Sequence, residues 1–488
     1  MHPTPEPAGN TTGSDSRHPA FKDFAACLSQ QRQAYHANPL PSLAQRLTDL
    51  SALQALVRDN EAALVAAVNA DYGSRCRFET RFSEILMVLQ DIGRTKKQLK
   101  KWLKPQRRHI DRMLFPTSSC KVLPQPLGVV GVIVPWNFPI MLSLSPLVAI
   151  FAAGNRAMVK MSENSAHLAQ LLIQLVPRYF AADKLQIFAD DGGSGPAFSA
   201  QPFDHLFFTG SAQTGRAVMA SAAKNLTPVT LELGGKSPAV VAPDYPLEKA
   251  VDRIIWAKAF NAGQICTNVD YLFLPEGTEQ QFSKLAQKLA AKRYPDINNN
   301  DYTAIIDERA YNRLQQTLDD AIAKGATAVN LLPKQVPDVA LRKFPLTLLF
   351  NVTDDMLVMQ REIFGPLLPV KSYRDASEVI SYINARPRPL AFYPFTDDKA
   401  LQQRYIEQVM SGGVTVNHAI LHVSQHDLPF GGIGESGMGH YHGYEGFLTF
   451  SKLRPVFYQG VYNSVSMLLP PYGKLAHKLT DWLIKLKG

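Results

Sequence analysis

In Gly128-Val-Val-Gly-Val-Ile-Val-Pro-Trp-Asn-Phe-Pro139, seven apolar or glycine residues run without a polar interruption into a turn bracketed by prolines. A short apolar run of this kind reads as a strand buried on both faces, the signature of a parallel sheet. Upstream, from Phe21 to about Leu103, the periodicity is helical, with Leu43, Leu47, Leu50, Leu53 and Leu56 followed by Leu64, Val65 and Val68 on apolar faces. Between Ser119 and Leu127, Pro124 and Pro126 punctuate short β-rich pieces. Downstream, strand and helix alternate: a helix at 145–153 stopped by Gly154, a strand at 156–160, a helix at 166–180, and strands at 185–188 and 205–208. A second series follows Lys236, with strands at 239–241 and 271–274 and helices at 247–260 and 280–293. Such alternation implies βαβ units, hence an α/β architecture with a doubly wound sheet and a second α/β unit starting near residue 233.

A chain of 488 residues exceeds what one hydrophobic core usually holds, and its 46% hydrophobic content is ample for two. Residues 1–20 are rich in Pro, Gly, Ser and Thr and are expected to be a disordered tail, not a signal peptide. No run approaches the roughly 18 apolar residues of a membrane span. Cys27, Cys76, Cys120 and Cys266 are spaced for neither a disulfide framework nor a metal site, so no metal and a reducing, cytoplasmic setting are expected. The net charge of +9 is partly gathered between Arg94 and Arg112, above Ile85, Val88, Leu89, Ile92, Leu99, Trp102 and Leu103 at helical spacing. That reads as the solvated face of an amphipathic helix; no nucleic-acid module accompanies it. Residues 474–487 form a second basic amphipathic helix, expected to pack on its own or a partner subunit, with peripheral membrane contact as the lesser reading.

The chemistry gathers in short segments. Cys266 lies in Asn261-Ala-Gly-Gln-Ile-Cys-Thr-Asn268, whose Gly263 and polar flanks suit an exposed turn better than a core strand and whose glycine lets the backbone pass close to a ligand. Glu232, in Leu231-Glu-Leu-Gly-Gly-Lys236, is a carboxylate amid apolar neighbours; such a group has a raised pKa and serves as a general base near neutrality, unless it caps a helix or pairs with Lys236. Asn137 follows the 128–134 strand at the end where parallel sheets place ligands, and its amide can stabilise an oxyanion. Phe207-Phe-Thr-Gly-Ser-Ala-Gln-Thr-Gly215 opens a strand onto Gly210, Ser211 and Gly215 and then a helix, offering backbone N–H groups to a pyrophosphate without a GxGxxG fingerprint.

Together with Met158-Val-Lys-Met-Ser-Glu163, Arg361-Glu-Ile-Phe-Gly-Pro366 and the glycine-rich run 428–439, these seven motifs resemble the aldehyde dehydrogenase superfamily, in its order and over nearly the whole chain beyond residue 20. The Tyr271 pattern, the 428–443 run and Leu468-Leu-Pro-Pro-Tyr472 look like the class 3-like branch, and Ile265-Cys-Thr-Asn268 like its coniferyl aldehyde dehydrogenase subgroup. The resemblance implies that Cys266 attacks an aldehyde, that Asn137 and a backbone N–H hold the oxyanion, and that Glu232 activates the water that cleaves the thioester. It implies NAD, with NADP possible, held by Lys160 and Glu163 at the adenosine side, Gly210, Ser211 and Gly215 at the pyrophosphate, and Glu362 and Phe364 at the nicotinamide, with Trp136 also among the cofactor-binding residues. A carboxylate near the ribose 2′-hydroxyl hints at NAD. It further implies a Rossmann-like cofactor domain at 21–232 with a bridging hairpin at 113–127, a catalytic domain at 233–416, a return to the cofactor domain at 417–450, a small β oligomerisation element with a C-terminal helix at 451–488, and a homodimer. The expected substrate is coniferaldehyde or a similar aromatic aldehyde, oxidised to the acid. A medium- or long-chain fatty aldehyde is the alternative; a CoA-acylating enzyme would not need Glu232, and a cysteine hydrolase would need a His base that the sequence does not place.

Overall fold

Val129–Ile133 is buried along its whole length because helices cover both sides of the sheet it centres. In the computed structural model, which describes residues 23–463, 465–466 and 469–488, this strand pairs in parallel with Arg156–Lys160 on one side and His205–Thr209 on the other. The expected tail at 1–20 and the first residue of the 468–472 motif lie outside the described residues. Leu185–Phe188 extends the sheet on the first side and Val229–Glu232 on the second, and Gly437–Met438 closes the latter edge antiparallel to Glu232 and Leu231. The chain thus winds outward twice from Val129–Ile133, once in each direction. The crevice at the carboxyl ends of Val129–Ile133 and His205–Thr209 is a topological switch point, where such sheets bind ligands.

One face of the sheet carries a core of Phe24, Leu28, Phe198, Phe203, Leu206 and Phe208. The other rests on Pro139–Ala153 and on the leading helices Leu43–Asp59, Glu61–Tyr72 and Leu86–Trp102. Leu43–Asp59 begins with a capping box between Ser42 and Gln45. Leu86–Trp102 buries Val88, Ile92, Leu99 and Trp102 and leaves Lys97, Lys100 and Lys101 in solvent. Pro139–Ala153 starts six residues before the position the sequence suggests, running through Pro146. Every residue of it is buried, and its first N–H groups find an acceptor on a distant helix, the Glu84 carboxylate, which outweighs the hydrogen bond lost at the proline.

A second sheet of seven strands follows in the spatial order Thr327–Asn330, Thr347–Phe350, Leu367–Tyr373, Tyr271–Pro275, Pro238–Val241, Ala391–Phe395 and Gly413–Val414. All its pairings are parallel except that of Thr327–Asn330 with Thr347–Phe350. Sheet membership therefore changes between Glu232 and Pro238, across the Gly234-Gly235 turn. A third sheet joins Gln106–Arg108, Ser119–Pro126 and Ser451–Tyr458, all antiparallel. The first arm of this hairpin lies before the 113–127 segment marked by its prolines, because Arg107 and Arg108 give the sequence no β signal. The last helix, Lys474–Lys487, buries only Ala476 and exposes Leu475, Trp482, Ile484 and Leu486.

Among the described residues no helix is long and apolar enough to cross a membrane, and no three His, Cys, Asp or Glu side chains are grouped to hold a metal. No disulfide joins the four cysteines.

Asn155 ties the parts at the foot of the central strand. Its fully buried amide accepts from Leu127 N (2.6 Å) and Gly128 N (3.0 Å) and donates to Ile150 O (3.3 Å) and Phe450 O (2.7 Å). Asn155→Ala leaves these groups unsatisfied and should cost about 3 kcal/mol, read as a lower urea midpoint at an unchanged slope.

Candidate active site

Asn137 sits where the central strand ends, 3% exposed. Its backbone carbonyl accepts three hydrogen bonds, from Tyr72 Oη (3.0 Å), Arg75 Nη1 (2.8 Å) and Asn261 Nδ2 (3.2 Å). Its own Nδ2 donates to Gln264 O (3.2 Å), two residues before the thiol, leaving a second N–H for another acceptor. Arg75 reaches Glu84 (3.4 Å) with both side chains fully buried, and Glu84 in turn accepts from Ile140 N (2.7 Å) and Met141 N (3.2 Å). Glu79, also buried, accepts from Asn261 N (3.1 Å) and Thr303 Oγ1 (2.7 Å). Burial raises the pKa of both carboxyls, and Arg75 opposes it.

The thiol's segment is a turn, as the sequence suggests, but a buried one. Asn261 (φ 51°), Ala262 (φ 49°) and Gly263 (φ 77°) take left-handed conformations in succession. A Cβ on Gly263 would stand 2.3 Å from Gly365 O, so the glycine admits a neighbouring backbone and not a ligand. The polar flanks that read as solvent-facing find partners inside, although Asn261 Oδ1 and Asn268 Oδ1 have none: Gln264 Nε2 donates to Asn261 O and Ala304 O (both 3.0 Å), its Oε1 accepts from Ile306 N (3.0 Å), and Asn268 Nδ2 donates to Ala257 O (3.1 Å). Only Cys266 keeps partial exposure, onto an apolar cavity of about 100 Å³. Phe138, Trp256, Phe260, Phe430 and Tyr441 supply its aromatic lining. Burial, then the facing carboxyls of Glu362 and Glu232, push the Cys266 thiol up to about 12, so its resting form is protonated.

Glu232 ends its strand 3% exposed, and neither carboxyl oxygen has a hydrogen-bond partner. The buried acids Glu79, Glu84, Asp91 and Asp270 each hold at least one donor; Glu232 has none, and burial alone lifts its pKa well above the carboxylate range. Lys236, its alternative partner from the sequence, pairs with Asp270 instead. An orphaned buried carboxyl beside a thiol is what a site built to move a proton looks like. Glu362 reaches over Gly234, where a Cβ would stand 2.3 Å from its carboxyl, and accepts from Gly235 N (3.3 Å). Burial and nearby Asp270 raise Glu362 to about 8. Phe364 (φ 50°) meets Trp136 edge to face at 5.4 Å.

Comparison with known proteins settles what kind of molecule carries this arrangement. A model of the aldehyde dehydrogenase family matches residues 3–456. The chain belongs to the aldehyde dehydrogenase family. It is 48% identical over 460 residues to a probable coniferyl aldehyde dehydrogenase of Pseudomonas aeruginosa, covering 94% of this chain and 96% of that one. It is 42% identical over 467 residues to the coniferyl aldehyde dehydrogenase of a Pseudomonas species, covering 95% and 96%. Among solved structures, the substrate-bound state of AldH from Staphylococcus aureus matches with a TM-score of 0.88 at 31% identity, over 94% of this chain and 99% of that one.

Members of this family work with NAD or NADP, and this aldehyde dehydrogenase has side chains that fit the coenzyme. Gly210 and Gly215 stand where a Cβ would meet Phe208 (2.6 Å) and Leu233 (2.7 Å), which lets the turn and Ala212–Ala223 press onto the sheet. Ser211 Oγ accepts from Thr214 N (3.2 Å), leaving the first-turn N–H groups of Ala212 and Gln213 outside the cap and open to an anion. Lys160 ends the neighbouring strand, buried, and Glu163 follows it, exposed. The sequence motifs did not reveal Tyr72, Arg75, Glu79 and Glu84. Tyr72, Glu79 and Glu84 lie in helices and Arg75 in the short loop after Tyr72, and only their burial as charged or polar groups marks them.

Glu362 is ionised above pH 8 and its charge then opposes the thiolate. In the enzyme without coenzyme, Glu362→Gln should therefore speed alkylation of Cys266 by iodoacetamide at pH 9, about tenfold for one unit of thiol pKa. Equal rates by peptide mass spectrometry would show that the carboxyl does not act on the sulfur.

Proposed function

We propose that this aldehyde dehydrogenase oxidises coniferaldehyde or a similar aromatic aldehyde to its carboxylic acid. The observation that carries the reading is the apolar cavity onto which Cys266 opens, with Phe138, Trp256, Phe260, Phe430 and Tyr441 in its lining. The names of the relatives at 48% and 42% identity support the same substrate.

The Cys266 thiol gives its proton to water as Sγ attacks the carbonyl carbon, forming a C–S bond while the carbonyl electron pair moves to oxygen. The second N–H of Asn137 Nδ2 and the backbone N–H of Cys266 are the donors assigned to that alkoxide; removing one such donor typically costs roughly 3 to 4 kcal/mol of barrier. When bound, the nicotinamide supplies the hydride acceptor that takes the carbon to the acyl oxidation level. Glu362 and Phe364 are the residues assigned to its ribose and ring, and Lys160, Glu163, Trp136, Gly210, Ser211 and Gly215 to the rest of the dinucleotide. Glu232 then takes a proton from water, the water oxygen bonds to the thioester carbon, and the C–S bond breaks to release the acid. With its pKa raised, Glu232 is protonated at low pH, so the hydrolytic step rises with pH as the carboxyl ionises.

Ser451–Tyr458 is an eight-residue edge strand exposing Leu453, Phe457 and Tyr458, the kind of edge another chain covers. We assign it to a homodimer; light scattering should give twice the 54.0 kDa chain mass. The absence of disulfides suits a reducing cytoplasm.

NADH formation at 340 nm, without CoA, from coniferaldehyde, benzaldehyde, hexanal and a long-chain aldehyde tests the substrate. The highest kcat/KM is expected with coniferaldehyde; preference for the alkyl chain would move the enzyme to fatty aldehydes, and silence until CoA is added would remove the hydrolytic role of Glu232. Cys266→Ala should abolish turnover. Glu232→Gln should keep the first-turnover burst of NADH while slowing the steady state at least a hundredfold, and loss of the burst would make Glu232 the activator of the thiol.

A further inference from the structure

Arg156–Lys160 and Leu185–Phe188 pair in parallel with Lys160 opposite Phe188, so the residues just past their carboxyl ends are neighbours. Met161, Ser162 and Glu163 follow the first strand; Ala189 and Asp190 follow the second. The Asp190 carboxylate is ion-paired with the Lys160 ammonium, each side chain only 6% exposed. Asp190 Oδ1 also accepts from Ser194 Oγ (2.7 Å), Gly192 N (3.1 Å) and Ser194 N (3.2 Å). Lys160 gives a second N–H to Met161 O (3.2 Å). Burial works to raise the Asp190 pKa, but the bonds from Lys160 and Ser194 hold it below the usual aspartate value, so it is charged at neutral pH. The sequence motifs assign Lys160 to the adenosine ribose and leave Asp190 without a role.

We propose that Asp190 is a specificity-determining residue that makes this aldehyde dehydrogenase select NAD over NADP. The proposal rests on the coenzyme assignment above. A 2′-phosphate brings close to two negative charges and needs a cation not already neutralised. Here the lysine of the segment carries its own buried counter-ion, and the Glu163 carboxylate lies three residues on. Pulling Lys160 away to meet the phosphate would leave a buried carboxylate without its counter-ion, held only by Ser194 and Gly192. A 2′-hydroxyl asks for neither. It accepts the remaining Lys160 N–H and donates to a carboxylate.

Isothermal titration of the full-length enzyme with NAD and with NADP tests this without turnover. The wild type should bind NAD at least about tenfold tighter than NADP. Asp190→Asn should tighten NADP about tenfold, roughly 1.4 kcal/mol, as Lys160 becomes available. Asp190→Ser, whose hydroxyl still meets Ser194, carries the same expectation if circular dichroism finds the amide variant unfolded. NAD bound with no selectivity over NADP, or NADP affinity unmoved in a folded Asp190 variant, overturns the role of Asp190 and leaves the coenzyme site standing. Binding of neither coenzyme to the wild type overturns both.

Discussion

Three donors from two distant parts of the chain converge on one acceptor, the backbone carbonyl of Asn137. Tyr72 reaches it from the end of Glu61–Tyr72, Arg75 from the loop that follows, and Asn261 from the segment that carries the thiol, while the carbonyl itself lies just past the end of the central strand. A carbonyl has two lone pairs, and saturating it in a dry interior fixes the peptide plane with unusual stringency. The side chain of the same residue then holds Gln264 O, so the amide and the sulfur two residues further on share a single frame. Arg75 extends that frame through Glu84 to the start of Pro139–Ala153. The distance between the Asn137 amide and the Cys266 sulfur depends on this knot.

The electrostatics follow from the same dryness. The thiol and two carboxyls occupy one buried region, and each is driven toward its neutral form. Neutral groups cost little to bury, so the site holds its nucleophile and base close together without the repulsion that two anions would create. Charge appears only when a proton has somewhere to go. Asp270 nearby is held by partners instead, tied to Lys236 and to Ile363 N.

The sequence makes the parallel sheet legible through its apolar run at 128–134, and the thiol and general base through the types of residue around them. It does not reveal that the turn at Cys266 is buried, because Asn261, Gln264 and Asn268 look solvent-facing until their internal acceptors are known. The start of Pro139–Ala153 is hidden for a like reason: its capping carboxylate, Glu84, is over fifty residues away in the chain. Gly263 reads correctly as a place of close approach but gives no sign of what approaches, which is Gly365 O. Local pattern reports the conformation a segment can adopt; long-range partners decide which polar groups are allowed inside.

Gly437 and Met438 pair with Glu232 and Leu231, and Ser436 O accepts from Leu233 N (3.1 Å). The strand that ends in Glu232 is thus flanked by residues synthesised some two hundred positions later. Folding that proceeds from the N-terminus during translation can assemble the helices and most of the first sheet early. It cannot enclose Glu232 until the ribosome has nearly finished the protein. A nascent chain, or one cut short before residue 436, leaves that carboxyl wet and ordinary, so chemical competence is conferred on the polypeptide only at the close of its synthesis.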